Sequence, residues 1–285
     1  GTVSFTPTND SIYDATSNET ATIDISGVSG GSATEDGTQN VTITITDDES
    51  APTVTLSRGA AAIDEDSSST VTITATLSVA TFQDVTVTID GTGGTGTEGT
   101  DFGTVSDITI SAGATTGTAA VDPTDDSVYE GNETAGISIS GVSGGGASES
   151  GSQSVTVTIT ENESEPTVTL ATSATSIAEN AGTSLTLTAT LSGATDQNVT
   201  VVLGTSGTAT EGTDYTDGSG NVDDITISAG STTGTVSFTP TDDSVYEGNE
   251  TATIAISSVT GEASESGTQA VTITLSLIHI SEPTR

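Results

Sequence analysis

Cysteine, methionine and tryptophan are absent from this 285-residue chain, and no lysine occurs in it. Without cysteine there is no disulfide framework, no thiol chemistry and no thiolate zinc site. The two basic residues, Arg58 and Arg285, face 40 acidic ones, for a formal net charge of −38. Such an imbalance repels nucleic-acid phosphates and anionic membrane surfaces, so neither is expected as a partner. Two readings of the charge stay open: it keeps a surface protein soluble, or it recruits cations. Low aromatic content with high acidity is also a composition of disorder. Here the apolar residues are strictly patterned, which argues for a folded chain. No membrane-length apolar run occurs, so no membrane insertion is expected. No signal-peptide pattern occurs either, an absence of little weight because Gly1 falls inside a repeat.

The chain repeats itself with a period of about 115 residues. G-T-V-S-F-T-P-T stands at Gly1–Thr8 and again, identically, at Gly234–Thr241, with G-T-A-A-V-D-P-T at Gly117–Thr124. T-D-D-S-V-Y-E-G-N-E-T stands at Thr124–Thr134 and Thr241–Thr251, and a looser T-N-D-S-I-Y-D-A-T-S-N-E-T spans Thr8–Thr20. These strings divide the chain into the C-terminal part of a repeat (1–50), a complete repeat (51–164) and a nearly complete one (165–274). The stretch from Asp214 to Asp224 is longer than its counterpart from Asp101 to Asp107, an insertion expected on a loop. From Leu275 the chain reads L-S-L-I-H-I-S-E-P-T-R and departs from the other repeats. That string resembles a translated sequencing-library adapter of the kind found at metagenomic contig ends. Residues 275–285, with the sole histidine His279, are therefore read as a non-native tail and kept out of the functional argument.

Apolar residues alternate with Thr and Ser throughout, the period of half-buried strands. Val71, Ile73, Ala75 and Leu77 share one face, as do Leu185, Leu187, Ala189 and Leu191. Further strands are expected at Thr53–Leu56, Val85–Ile89, Ile108–Ser111, Thr118–Val121, Thr134–Ser140 and Val155–Thr160. About seven short strands per repeat, rich in β-branched residues, predict an all-β chain of tandem immunoglobulin-like antiparallel β-sandwiches. The outward Thr face reads as a solvated surface. Gly91–Gly96 and Gly144–Gly146 lack a following helix or Lys and read as loops, not phosphate cradles.

The acidic residues gather at the turns. In the second repeat they are Glu65, Asp101, Asp125, Asp126, Glu130, Glu133, Glu161 and Glu163; in the third, Glu179, Asp214, Asp242, Asp243, Glu247 and Glu250. Turns at alternate strand ends of a sandwich share a pole, so several of these groups should converge. Two carboxylates about 5 Å apart repel by roughly 3 kcal/mol at an effective dielectric near 20. A divalent cation removes that cost. Oxygen-only ligands select a hard ion, and a flexible loop-built cage favours Ca²⁺ over Mg²⁺.

I-A-E-N at Ile177–Asn180, E-G-T-D-Y at Glu211–Tyr215 and T-D-D-S-V-Y-E-G-N-E-T at Thr241–Thr251 resemble the Calx-beta domain. That family is known from the regulatory loop of sodium–calcium exchangers, from an integrin subunit and from many bacterial surface proteins. The likeness covers essentially the whole chain apart from the tail. In calcium-binding members the ligands sit in loops at one end of the sandwich. The resemblance therefore implies Glu65, Asp101, Asp125, Asp126, Glu130, Glu161 and Glu163 as metal ligands in the second repeat, with Glu133 beside them. In the third it implies Glu179, Asp214, Asp242, Asp243 and Glu247, with Glu250 beside them. The family's acidic triplet after the last strand is matched by Asp47, Asp48 and Glu49; Glu161-Asn162-Glu163 departs from it at the middle position. Tyr129 and Tyr246 read as core corner residues, and the Gly-Asn pairs Gly131-Asn132 and Gly248-Asn249 as turn formers.

Other chemistry finds little support. Carboxylate pairs also serve glycoside hydrolases, but those need an aromatic-walled cleft, and without Cys or a native His the usual nucleophile–base pairs are missing. The expectation is no enzyme. It is a calcium-binding structural repeat, an extender or fibre-forming region of a secreted or cell-surface, bacterial-like protein. Its partners would be calcium ions and neighbouring repeats of the same chain, extending to a homopolymer. The alternative is an adhesion module that recognises a glycan or protein directly.

Overall fold

The computed structural model describes residues 1–14, 19–218, 220–243 and 248–276; Glu247, Tyr246 and the tail beyond Ser276 lie outside them. The chain forms two compact units, Gly1–Asp125 with Glu133–Thr160, and Asp126–Asn132 with the residues from Glu161 onward. Among the described residues there is no helix.

In the first unit a four-stranded sheet runs in the order Thr116–Val121, Val71–Leu77, Thr53–Arg58, Ser148–Glu149. A five-stranded sheet runs Ala62–Asp64, Ser154–Thr160, Glu133–Ser143, Val85–Gly94, Ile108–Ile110. The alternation read from the sequence sets the faces: Val71, Ile73, Ala75 and Leu77 are buried, while the threonines between them are not. They meet Val87, Ile108, Ile110, Ile137 and Val157 from the other sheet, all without solvent exposure. The main strands pair antiparallel. The second unit repeats the plan with two five-stranded sheets. Its core holds Val168, Leu187, Val201, Ile225, Ile254 and Ile273, and Tyr215 stacks on Phe238 with ring centroids 4.6 Å apart. The fold class is that of tandem immunoglobulin-like sandwiches.

Several local readings need correction. Gly91–Gly94 is not loop but the end of the strand Val85–Gly94, paired to Ala135 and Gly136. A Cβ on Gly94, at φ 107°, would fall 2.1 Å from the Thr134 carbonyl oxygen, so only glycine lets the two backbones meet there. Tyr129 belongs to neither core; it sits half-buried in the two-residue strand Val128–Tyr129, paired parallel to Ala194–Thr195. Leu275 and Ser276, assigned to the tail, complete the last strand Ala270–Ser276, and Leu275 is buried in the core.

One feature positions the acidic loops. The first strand of each sandwich is split, and the chain changes sheets within it. After Thr53–Arg58 the segment Ala62–Asp64 crosses to lie parallel to Thr158–Thr160. In the third repeat Ser176–Ala178 lies parallel to Thr274–Ser276. The crossing sets Glu65 and Glu179 beside the end of the last strand: Glu65 N–H donates to the Thr160 carbonyl at 3.0 Å and Glu179 N–H to that of Ser276 at 3.2 Å.

Candidate metal centre

The E-G-T-D-[FY] loop is anchored by its aromatic residue. Phe102 and Tyr215 are buried in their cores, which fixes the preceding Asp101 and Asp214 at the loop's inner edge. Each Asp closes its own turn: Asp101 Oδ2 accepts the Thr97 N–H at 2.5 Å and Asp214 Oδ2 that of Thr210 at 2.6 Å. Their carbonyls accept the N–H groups of Thr124 and Thr241, each at 2.9 Å. Those bonds deliver the acidic pairs Asp125–Asp126 and Asp242–Asp243 to the same loop, where all four side chains are exposed.

The glutamate of the motif has a different task. Glu98 Oε1 accepts the Val105 N–H at 2.6 Å and Glu211 Oε1 that of Val222 at 2.8 Å. A Cβ on Gly91 would come within 3.0 Å of the Glu98 carboxylate, so that glycine makes room for it. Glu98 and Glu211 hold loops together.

Glu161 is a clamp. Its Oε2 accepts the N–H groups of Glu130 and Gly131 at 2.7 and 2.9 Å, and its Oε1 those of Asn162 and Glu163, both at 3.0 Å. Asn132 Oδ1 in turn accepts the Glu161 N–H at 3.0 Å. Four N–H donors match the acceptor capacity of one carboxylate, so the first role of Glu161 is to position Glu130 and Glu163. Gly131, at φ 71°, makes the turn that lets two consecutive N–H groups aim at one oxygen.

Two close carboxylate pairs result. Asp101 and Glu133, both half-buried, each offer an oxygen within 4.8 Å of the other, and so do Glu161 and Glu163. Glu65 is 6% exposed and Asp214 7% exposed, both unusual for carboxylates. Calcium binds oxygens at about 2.3–2.6 Å, so two ligands of one ion lie at most about 5 Å apart. The pairs fit that limit, and every donor is a hard oxygen. Asp47 and Asp48 are exposed and Glu49 is half-buried; Glu179 is half-buried, and Glu247 falls outside the described residues.

Sequence reasoning missed part of the first repeat's pole. Asp10, Asp14 and Glu19 join Asp47, Asp48 and Glu49 around a cleft of about 260 Å³ with Phe82 at its rim. Asp47 Oδ2 accepts the Asp14 N–H at 3.2 Å, the counterpart of the Glu161–Glu130 clamp. Aligning T-N-D-S-I-Y-D with T-D-D-S-V-Y-E would have found Asp10 and Asp14. Burial, a hydrogen bond shared with Asp47 and the charge of Asp48 hold the Glu49 carboxyl above its usual range. Glu262 was missed as well. Burial, a hydrogen bond and charge from Asp196, and the charge of Glu161 push its carboxyl up to about 7.

No curated protein matches the chain. Among solved structures, the CBD12 pair from CALX1.2 is 15% identical, with a TM-score of 0.35 over 78% of this chain and 99% of that one. The adhesin InvE of Yersinia pseudotuberculosis is 16% identical, with a TM-score of 0.37 over 78% of this chain and 58% of that one. Invasin, described as a bacterial integrin-binding protein, is 17% identical, with a TM-score of 0.32 over 86% of this chain and 44% of that one. The Calx-beta domain model matches residues 47–163 and again residues 161–278. The chain belongs to the Calx-beta family and carries its domain in tandem.

Proposed function

We propose that these repeats bind calcium and serve as a structural, extending region of a secreted or cell-surface protein. The observation that carries the reading is the Asp101–Glu133 pair: one carboxylate from a loop and one from the first residue of a strand, with oxygens within 4.8 Å. Leaving two such charges together costs about 3 kcal/mol at an effective dielectric near 20, and a chain without lysine has little cation of its own to offset it. A divalent ion converts that repulsion into binding. Residues Asp101, Glu133, Asp125 and Glu65 would hold it in the second repeat; Asp214, Asp242 and Glu179 are their counterparts in the third. Bound calcium stiffens loops that are otherwise held apart by charge. Extracellular calcium is millimolar, so a dissociation constant of about 10⁻⁴ M suffices. The same reading makes the repeats non-catalytic, since the oxygens are committed to the ion and no nucleophile–base pair accompanies them. Calorimetric titration with calcium, paired with thermal unfolding in calcium and in chelator, tests it. Binding near 10⁻⁴ M with a raised midpoint is expected; no heat at millimolar calcium and an unchanged midpoint would overturn the proposal.

A further inference from the structure

The segment Asp126–Asn132 belongs to the second compact unit, although the residues on its N-terminal side belong to the first. Its strand Val128–Tyr129 lies parallel to Ala194–Thr195, and the Asp196 N–H donates to the Tyr129 carbonyl at 3.3 Å. Beside that bond stands Glu262. Its Oε1 accepts from Gln197 Nε2 at 3.3 Å, and a Cβ on Gly131 would come within 3.9 Å of the same oxygen. Its Oε2 is sealed from solvent and receives no hydrogen bond. An ionised carboxylate is costly in that condition, because it has given up water without gaining a donor. The charges around it make matters worse: Asp196 and Glu161 act on Glu262, and Glu161 and Glu165 act on Tyr129. No Lys, Arg or His occurs among the described residues of this unit, so no side chain offsets them. A proton on Oε2 resolves the conflict, since the new O–H donates to the Asp196 carboxylate in a charge-assisted bond.

We infer that Asp196 and Glu262 share one proton, and that this proton gates the docking of Asp126–Asn132: the segment is held while the pair keeps it and loosened once both carboxyls ionise. Burial first and Asp196 next push the docked Glu262 carboxyl up to about 7, against 4.5 for a free one. Docking therefore takes up a proton between those values, so the segment is held on the acid side and weakened as pH rises through about 7. The first unit holds the same pair of strands without the gate. Ile12–Tyr13 lies parallel to Ala80–Thr81, and the Phe82 N–H donates to the Tyr13 carbonyl at 3.1 Å. There Phe82 stands in the place of Asp196 and Gly146 in that of Glu262, so no proton is shared and pH should not touch that docking. The gate needs no metal and is independent of the calcium reading.

The test uses the whole chain in chelator and follows amide hydrogen exchange on either side of neutrality, each amide being compared with its intrinsic rate at that pH. Protection of the Asp196 amide is expected to fall by about tenfold from the acid to the alkaline side, while that of the Phe82 amide stays constant. Glu262→Gln supplies an N–H donor to Asp196 at every pH and should keep the Asp196 amide protected on both sides. Asp196→Phe, which copies the first unit, should also erase the difference at that position. Unchanged exchange in Glu250–Thr260 shows that both variants keep their fold. Equal protection of Asp196 on both sides in the unaltered chain would overturn the inference, as would a difference that survives Glu262→Gln. A difference seen with calcium and lost in chelator would overturn it too, by making the pair an ion site.

Discussion

Gly1–Thr8 and Gly234–Thr241 are the same eight residues in two surroundings. In the third repeat they form most of the strand Thr233–Pro240 and bury Phe238; in the first they form no strand and leave Phe5 in partial contact with water. Local sequence is identical, so the difference lies in the neighbours. Strand formation here records a partner strand and a core to pack against, not an intrinsic preference of Thr, Val and Phe.

The largest effect should come from breaking the covered copy. Phe238→Ala is expected to destabilise the third repeat by about 3–5 kcal/mol, whereas Phe5→Ala costs under about 1 kcal/mol. Calorimetric melting of the two variants checks this, and equal losses would mean that both copies are packed alike. Gly207→Ala comes next. At φ 124° its new Cβ would sit 2.1 Å from the Thr251 carbonyl, in the same relation as Gly94 to Thr134. A loss of about 2 kcal/mol or more is expected at each of these sister positions, measured by denaturant unfolding.

Calcium sharpens the comparison of the second repeat with the third. At millimolar calcium and a dissociation constant of about 10⁻⁴ M, stabilisation amounts to about 1.4 kcal/mol. Asp101→Asn with Glu133→Gln should remove it from the second repeat and leave the third unaltered, as read by melting in calcium and chelator. The smallest effect belongs to Glu262, whose place in the second repeat is taken by Gly146. A carboxyl held at about 7 when folded keeps its proton after the unfolded chain has lost it, so stability falls as pH rises from about 4.5 to about 7. Glu262→Gln should raise the melting point at pH 8 by a few degrees and leave it unchanged at pH 4.

Much of the fold was legible because its strands obey a period of two. Val71–Leu77 and Leu185–Leu191 declare their buried faces without help from context. The two- and three-residue parallel strands were not legible, since Ala62–Asp64 and Val128–Tyr129 acquire strand character only from what lies beside them. Among the acids, position was easier to read than role. The sequence places Glu98, Glu161 and Asp101 alike at turns, yet Glu98 and Glu161 spend their oxygens on backbone N–H groups. The carboxyl of Glu262 was unreadable because its neighbour Asp196 is far away along the chain.

The sheet-changing first strand has a mechanical consequence. Ala62–Asp64 lies parallel to Thr158–Thr160, near the start and the end of the same repeat. A pull applied across that repeat drags the two segments in opposite directions along their common axis. Their hydrogen bonds are then loaded together in shear and cannot be unzipped one at a time. Ser176–Ala178 against Thr274–Ser276 offers the same latch in the third repeat. Tension would have to break the whole latch before the sandwich behind it could begin to open.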